Sequence, residues 1–396
     1  MRKGLLIVVC ILFIITGCKQ KLEYRDREDN RLTFEEKLDI YISNMSLEEK
    51  IAQMLIVYTS NPTMTPEFQE ELELIKPGGF IVQGANITSY QDTLDYINQI
   101  KQTARIPMII SIDQEGGIVQ RLTNLTDITP TYIPLMYDLG ETNDQELSYQ
   151  VGKVIATELR TIGVNVDYAP VLDVYTNYQN TVIGNRAFGS NIDSVINMAL
   201  PLSKGILDSN VIPVYKHFPG HGDTAVDSHF GLPVVTKTLE DIKQLELQPF
   251  IKAIEDNASM IMVAHIAYPN ITGDNTPASL SYEMVTEVLR NDLGYEGIVI
   301  SDGLNMGALT NNYSYSEIYE KAINAGVDLL LMPLGIKEPV DSIKNSVEAG
   351  RIEIERINES VKRILTLKFT YLHQDNTLGK EYLGSQEHQD IIDIFN

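Results

Sequence analysis

Val211-Ile212-Pro213-Val214-Tyr215-Lys216-His217-Phe218-Pro219-Gly220-His221-Gly222-Asp223-Thr224 changes character at Lys216. The first five residues are apolar and read as a short buried strand. The residues from Lys216 to His229 hold three histidines, two aspartates and a lysine, and include Asp227-Ser228-His229. Helical periodicity resumes only near Leu239. A polar cluster therefore leaves the C-terminal end of a buried strand, where α/β folds put their chemistry. Three readings of the cluster stand side by side. It is a set of solvated turn residues, a metal site built on His and Asp, or a catalytic loop in which Asp227 orients His229 for proton transfer. The spacing is unlike HExxH, no cysteine accompanies it, and Lys216 would repel a cation, all of which weigh against metal.

Working outward, the same alternation repeats along the chain. Apolar runs at 54–59, 79–83, 108–113, 164–171, 211–216, 260–265, 298–302 and 329–332 are rich in Ile, Val and Leu and continuous. That pattern predicts strands buried on both faces. Segments with helical periodicity lie between them at 89–103, 145–161, 194–209, 239–257, 281–293 and 316–325, and a helical pair at 338–349 and 353–371 follows. Ser46-Leu47-Glu48-Glu49 and Ser281-Tyr282-Glu283 carry N-cap chemistry. Eight strand–helix units in series predict a single-domain (β/α)8 barrel. An open doubly wound sheet is the competing architecture, but no GxGxxG or GxxxxGK[ST] follows any strand.

The N-terminus reads differently. Met1-Arg2-Lys3 precedes an apolar run from Gly4 to Ile15, too short to span a bilayer. With Ile15-Thr16-Gly17-Cys18 it resembles a bacterial lipoprotein signal at 1–17, which implies cleavage before Cys18, lipidation of that residue, export, and anchoring to the outer face of the cell membrane. An ordinary signal peptide or an uncleaved anchor also exports the chain. A charged stretch at 18–36 is expected to be a flexible tether. Cys10 and Cys18 are the two cysteines; on this reading the mature fold has no thiol, and cysteine catalysis is excluded. The formal net charge of −23 opposes binding to nucleic acid or anionic lipid. A tail at 373–396 has no role readable from composition.

In a barrel, the C-terminal ends of the strands converge. They bring Asp113-Gln114-Glu115-Gly116-Gly117, Asp173, Asn185-Arg186, Lys216-His217, His265 and Ser301-Asp302-Gly303 to one face. Taken singly, each Asp is as well explained as a helix N-cap. Together, carboxylates beside cations suit a polyhydroxylated ligand, whose hydroxyls donate to the former and accept from the latter.

These residues resemble the bacterial β-N-acetylglucosaminidases of glycoside hydrolase family 3. The resemblance rests on Lys216 through Thr224, on Asp227-Ser228-His229 and on Asp113 through Gly117, and covers the domain 37–372. It implies retaining hydrolysis of terminal β-linked N-acetylglucosamine from cell-wall (muropeptide) or chitin-type saccharides, with no cofactor. It implies Asp302 as nucleophile and His229, held by Asp227, as acid/base. Asp113, Arg121, Arg186, Lys216 and His217 are implied to bind the sugar. Three features depart from the pattern. Ile118 stands where the family often has Arg, Gly303 replaces a second Asp, and the chain stops where two-domain relatives continue. That last feature is expected to leave the histidine-based chemistry in place of a glutamate from a second domain.

Alternatives in the same fold are a β-glucosidase or β-xylosidase, or a GlcNAc phosphorylase. The last follows because a histidine that has given up its proton is neutral and does not repel incoming phosphate. A lipid-anchored sugar-binding protein is the reading from another class, although such binders have two lobes and no midpoint break interrupts the βα series.

Overall fold

The structure is a computed structural model and describes residues 32–224, 227–374 and 377–395. The expected signal and Cys18, and the tether up to residue 31, lie outside the described residues. Thr33 caps the helix Phe34–Ser43 in a reciprocal box with Glu36, so helical structure begins inside the stretch read as tether.

Eight parallel strands form the core: β1 Leu55–Val57, β2 Gly79–Ile81, β3 Ile109–Ile112, β4 Val166–Asp167, β5 Ile212–Phe218, β6 Met260–Val263, β7 Ile298–Ser301 and β8 Leu330–Leu331. From β1 to β7 each strand pairs with the next, and β8 pairs back onto β1 with Leu55 opposite Leu330. A parallel bridge between Ile300 and Leu329 completes the ring. This is the (β/α)8 barrel expected from the alternation, and its strand residues are almost wholly buried. An antiparallel hairpin, Gln114–Gly116 with Val119–Gln120, grows out of the end of β3.

Four elements differ from the sequence pattern. Only Val166–Asp167 of the run 164–171 is a regular strand; Pro170 has no N–H to give the ladder. The helical run 239–257 is two helices, Leu239–Gln244 and Gln248–Glu255, with Pro249 in the first turn of the second. The segment at 281–293 is a π-helix over Glu283–Asp292, closed by Leu293 N–H donating to the Val288 carbonyl. The tail carries the helix Gln386–Ile392, and Leu383 and Ile392 join the hydrophobic core.

On the outer ring the helices Gln145–Thr161 and Ile192–Asp208 cross at backbone contact. A Cβ on Gly152 would sit 2.1 Å from the Leu202 carbonyl oxygen, and one on Gly205 would sit 2.1 Å from that of Tyr149. Only glycine allows backbones to approach this closely. Just before β8, buried Asp328 accepts from Arg290 at 2.6 Å, Arg356 at 2.7 Å and Arg363 at 3.2 Å, fixing helices 283–292 and 354–371 to the sheet.

Candidate active site

The site begins with β5. Its ladder to β6 is regular up to Tyr215 opposite Ile261 and resumes shifted at Phe218 opposite Val263. An irregularity of this kind re-aims side chains next to a pocket. Two consecutive residues, Lys216 and His217, accordingly both reach carboxylates, those that follow β3 and β4 respectively, where a regular strand would send them to opposite faces.

Lys216, 2% exposed, donates to Asp113 at 2.8 Å and contacts Glu115 at 2.6 Å. Glu115, equally buried, grips Arg186 through two parallel bonds of 2.7 Å each. Arg186 also donates to the Val182 carbonyl, and Arg121 stands 3.8 Å from Asp113. Burial alone would raise the Glu115 carboxyl, but the Arg186 and Lys216 charges outweigh it and hold it far below the ordinary range. The hairpin after β3 is what presents Asp113, Glu115 and Arg121 together. Its turn is fixed by Gln120, which exchanges hydrogen bonds of 2.9 Å with Ile133 in both directions.

A second cluster is built on Asp173, which is fully buried. It accepts from His217 Nδ1 at 2.7 Å and from the backbone N–H groups of His217 at 3.3 Å and His221 at 2.6 Å. Burial raises its carboxyl, and the His217 and His221 interactions more than reverse this, leaving it lowered. His221 is itself pushed down to about 4, first by burial and then by His217. Its ring meets Thr224 Oγ1 at 2.7 Å and Ser228 Oγ at 3.3 Å, so it ties the Asp227-Ser228-His229 turn to the strand that bears His217.

Asp302 follows β7 directly. One carboxylate oxygen accepts from the Gly303 N–H at 2.7 Å. Burial works against its charge, but His265, His217, that N–H and Lys216 together keep it lowered and hence ionised at neutral pH. His265, buried after β6, is fixed by Ser279 at 2.7 Å and the Gly303 carbonyl at 3.0 Å. Burial lowers its pKa. An ionised carboxylate held in a largely desolvated pocket is suited to nucleophilic attack on an electrophilic carbon.

The Asp227–His229 pair lies at the surface. His229 Nδ1 is 2.8 Å from Asp227 Oδ1, which also accepts the His229 N–H at 2.9 Å. The side chain of His229 is 62% exposed and that of buried Ser228 is not. The turn is nonetheless seated: Gly307 and Ala308 donate to the carbonyls of His229 and Ser228, each at 3.1 Å. Gly307 and Ala308 open the short helix just beyond Asp302, so the Asp227-Ser228-His229 turn is seated on the segment that follows Asp302.

The described structure thus brings Asp113, Arg121, Arg186, Lys216 and His217 into two joined ionic clusters, with Asp302 in electrostatic reach of Lys216 and His217. It sets His229 on an exposed turn over the same loop. Glu115, Asp173, His221 and His265 carry as much of the site's structure as the residues singled out from sequence. All four sit within the quoted motifs or at a strand end; Glu115 and Asp173 pair with Arg186 and His217 far away in sequence, whereas the His221 ring meets Thr224 and Ser228 close by. Among the described residues, no group of three or more His, Cys, Asp or Glu side chains is arranged to hold a metal ion. No helix among them is long and apolar enough to cross a membrane.

Comparison with known proteins gives a consistent picture. Residues 46–367 match the glycosyl hydrolase family 3 N-terminal domain. The chain is 33% identical over 363 residues to beta-hexosaminidase A of Pseudoalteromonas piscicida, covering 83% of this chain and 59% of that one. It is also 33% identical over 325 residues to a beta-hexosaminidase of Nitrosomonas eutropha, covering 79% and 91%. Among solved structures it resembles a family 3 beta-N-acetylglucosaminidase from Paenibacillus sp. str. FPU-7, with 33% identity, a TM-score of 0.82, and coverage of 89% of this chain and 68% of that one.

Proposed function

This chain belongs to glycosyl hydrolase family 3 and is a glycoside hydrolase, and from that premise we propose that it is a retaining exo-β-N-acetylglucosaminidase. The relatives that carry a β-hexosaminidase or β-N-acetylglucosaminidase name support the sugar. The observation that supports the mechanism is a half-buried, ionised Asp302 followed at Gly307 and Ala308 by the backbone that seats the turn in which Asp227 holds the exposed His229. Asp302 attacks the anomeric carbon while His229 gives its Nε2 proton to the leaving oxygen. Asp227 fixes the ring by taking the Nδ1 proton in a hydrogen bond. His229, now neutral, then takes a proton from water, which displaces Asp302 and releases the sugar with its original configuration. Asp113 and Arg121 bind sugar hydroxyls; Lys216, Arg186 and His217 keep the accepting carboxylates charged and oriented.

The substrate would be a β-GlcNAc-terminated oligosaccharide of cell-wall or chitin type. The test is chromophore release from aryl β-GlcNAc and aryl β-glucoside. Turnover of the first with little of the second supports the reading; the reverse order makes the protein a β-glucosidase, and binding without turnover of either makes it a sugar-binding protein. Repeating the assay with inorganic phosphate and analysing the product for the sugar 1-phosphate tests the phosphorylase alternative. Export and lipid anchoring through Cys18 remain part of the proposal: Cys18→Ala should shift the protein out of the membrane fraction, and unchanged partition counts against the anchor.

A further inference from the structure

The segment that composition left without a role leads, bond by bond, into the sugar-binding hairpin. Its hub is Glu158, near the end of the helix Gln145–Thr161, whose side chain is 3% exposed. A buried carboxylate is tolerated only when donors surround it, and here they come from two distant segments. From the tail, Gly384 donates its N–H to Oε1 at 2.9 Å and His388 Nδ1 stands 3.1 Å from the same oxygen. From the other side, the Thr131 N–H reaches Oε1 and Oε2 at 3.2 and 3.1 Å. Two residues on, the Ile133 carbonyl accepts the Gly117 N–H at 3.0 Å and Gln120 Nε2 at 2.9 Å, and the Ile133 N–H donates to Gln120 Oε1 at 2.9 Å. Gly117 lies in the turn and Gln120 in the second strand of the hairpin that carries Asp113, Glu115 and Arg121.

The tail also presses directly on this route. Gly384 has φ of +60°, and a Cβ there would lie 2.1 Å from the Thr129 carbonyl oxygen. Leu383 before it and His388 after it are each 6% exposed. Leu378 N–H, further back, is fastened to the Arg160 carbonyl at 3.1 Å on the same helix. The tail therefore crosses residues 129–131 at backbone contact and is held there from both ends.

We propose that residues 378–392 form a strap that, through Glu158 and the 129–133 segment, positions the Asp113–Arg121 hairpin for sugar binding. Glu158, Gly384 and His388 are positioning residues; none of them touches substrate. The sugar-binding role of the hairpin rests on the function proposed above, while the mechanical link rests on the bonds just given. Removing the strap leaves Asp302 and its surroundings, after β7, untouched, so binding should suffer more than chemistry.

The test has an arm that needs no activity. Hydrogen–deuterium exchange across 114–121 and 129–135 is compared in the wild type, His388→Ala, Gly384→Ala and His388→Gln. Loosening the strap should speed exchange in both segments in His388→Ala and Gly384→Ala, and His388→Gln, which keeps a donor, should restore much of the protection. Unchanged exchange at 114–121 in folded variants overturns the proposal, whatever the enzyme's substrate proves to be. In the second arm, KM for an aryl β-GlcNAc should rise about five- to ten-fold with kcat within about two-fold. Val340→Ala, in the separate helix Lys337–Glu348, provides a control for lost stability. Equal KM changes in that control and in the strap variants would also overturn the proposal. A wild type that does not turn over β-GlcNAc would refute the function and leave the exchange result to decide the strap.

Discussion

The two halves of the site are built on opposite terms. The Asp113–Glu115–Arg186–Lys216 cluster is centred on buried Glu115 and Lys216, bidentate and cross-braced from three separate segments. The Asp227–His229 turn is 34% and 62% exposed and rests on a single carboxylate–imidazole contact with backbone support. The difference matches what the proposed mechanism would ask of each half. Groups that grip hydroxyls gain by being fixed before the sugar arrives, since ordering them then costs nothing. A group that gives a proton to a departing aglycone, and later takes one from water, needs access to both. Burial secures the first half and would obstruct the second.

Substitutions can break this contrast. The largest effect on turnover belongs to neither half but to the group between them: Asp302→Ala should lower kcat/KM by at least about a thousand-fold with an unchanged circular dichroism spectrum. Activity near the wild-type level in that variant would move the nucleophile elsewhere. In the buried half the damage should fall on the fold. Glu115→Ala leaves the Lys216 and Arg186 charges without their shared buried partner, a type of change that costs about 3–5 kcal/mol, read as a lower urea midpoint. Because the Glu115 carboxyl is held low in the folded state, its contribution is complete well above the ordinary value of about 4.3 and is lost as pH falls below it. The wild type and Glu115→Ala should therefore converge in stability in acid.

In the exposed half the pattern should invert. His229→Ala should leave the urea midpoint within experimental scatter, because the side chain is mostly solvated. Its kcat/KM should fall about a hundred-fold or more for a poor leaving group and by less than about ten-fold for an activated aryl group, which departs without a proton. Equal losses on both would show that His229 is not the acid. The smallest effect concerns Asp167, buried in β4. Its Oδ1 accepts the Gln114 N–H at 3.0 Å, and among the described residues Oδ2 finds no hydrogen-bond partner. Burial pushes its pKa well above the carboxylate range. The folded protein then holds a proton that the unfolded chain releases above about pH 3.9, so this group costs stability as pH rises. Asp167→Asn, already neutral, should be slightly more stable than the wild type at pH 7 and show no gain near pH 4. A lower stability at pH 7 would mean that Asp167 is charged.

The barrel was legible because buried parallel strands announce themselves as uninterrupted Ile, Val and Leu runs, and all eight predicted runs hold a strand of the ring. What sequence pattern missed was set by tertiary partners. Helix 239–257 breaks around Pro249, and the polar tail at 377–395 is held because Glu158 and the core receive His388, Leu383 and Ile392. In the site, Asp113, Lys216 and Asp302 stood out as polar residues at apolar strand ends. Glu115 carried the same signal, but its importance comes from Arg186, seventy-one residues away in sequence. Local pattern holds no trace of such a pairing. His221 and His265 likewise become fixed elements only once Ser228 and Ser279 are folded against them.

The claim that joins both halves is that Asp302 forms a covalent bond to the sugar while His229 manages the proton. The direct measurement is mass spectrometry of the protein after incubation with a fluorinated β-N-acetylglucosamine analogue that is slow to leave the enzyme, followed by peptide mapping. The account predicts one added glycosyl group on the peptide that contains Asp302, accumulating faster than it decays. Turnover of the analogue with no adduct, or an adduct on any other carboxylate, would contradict it.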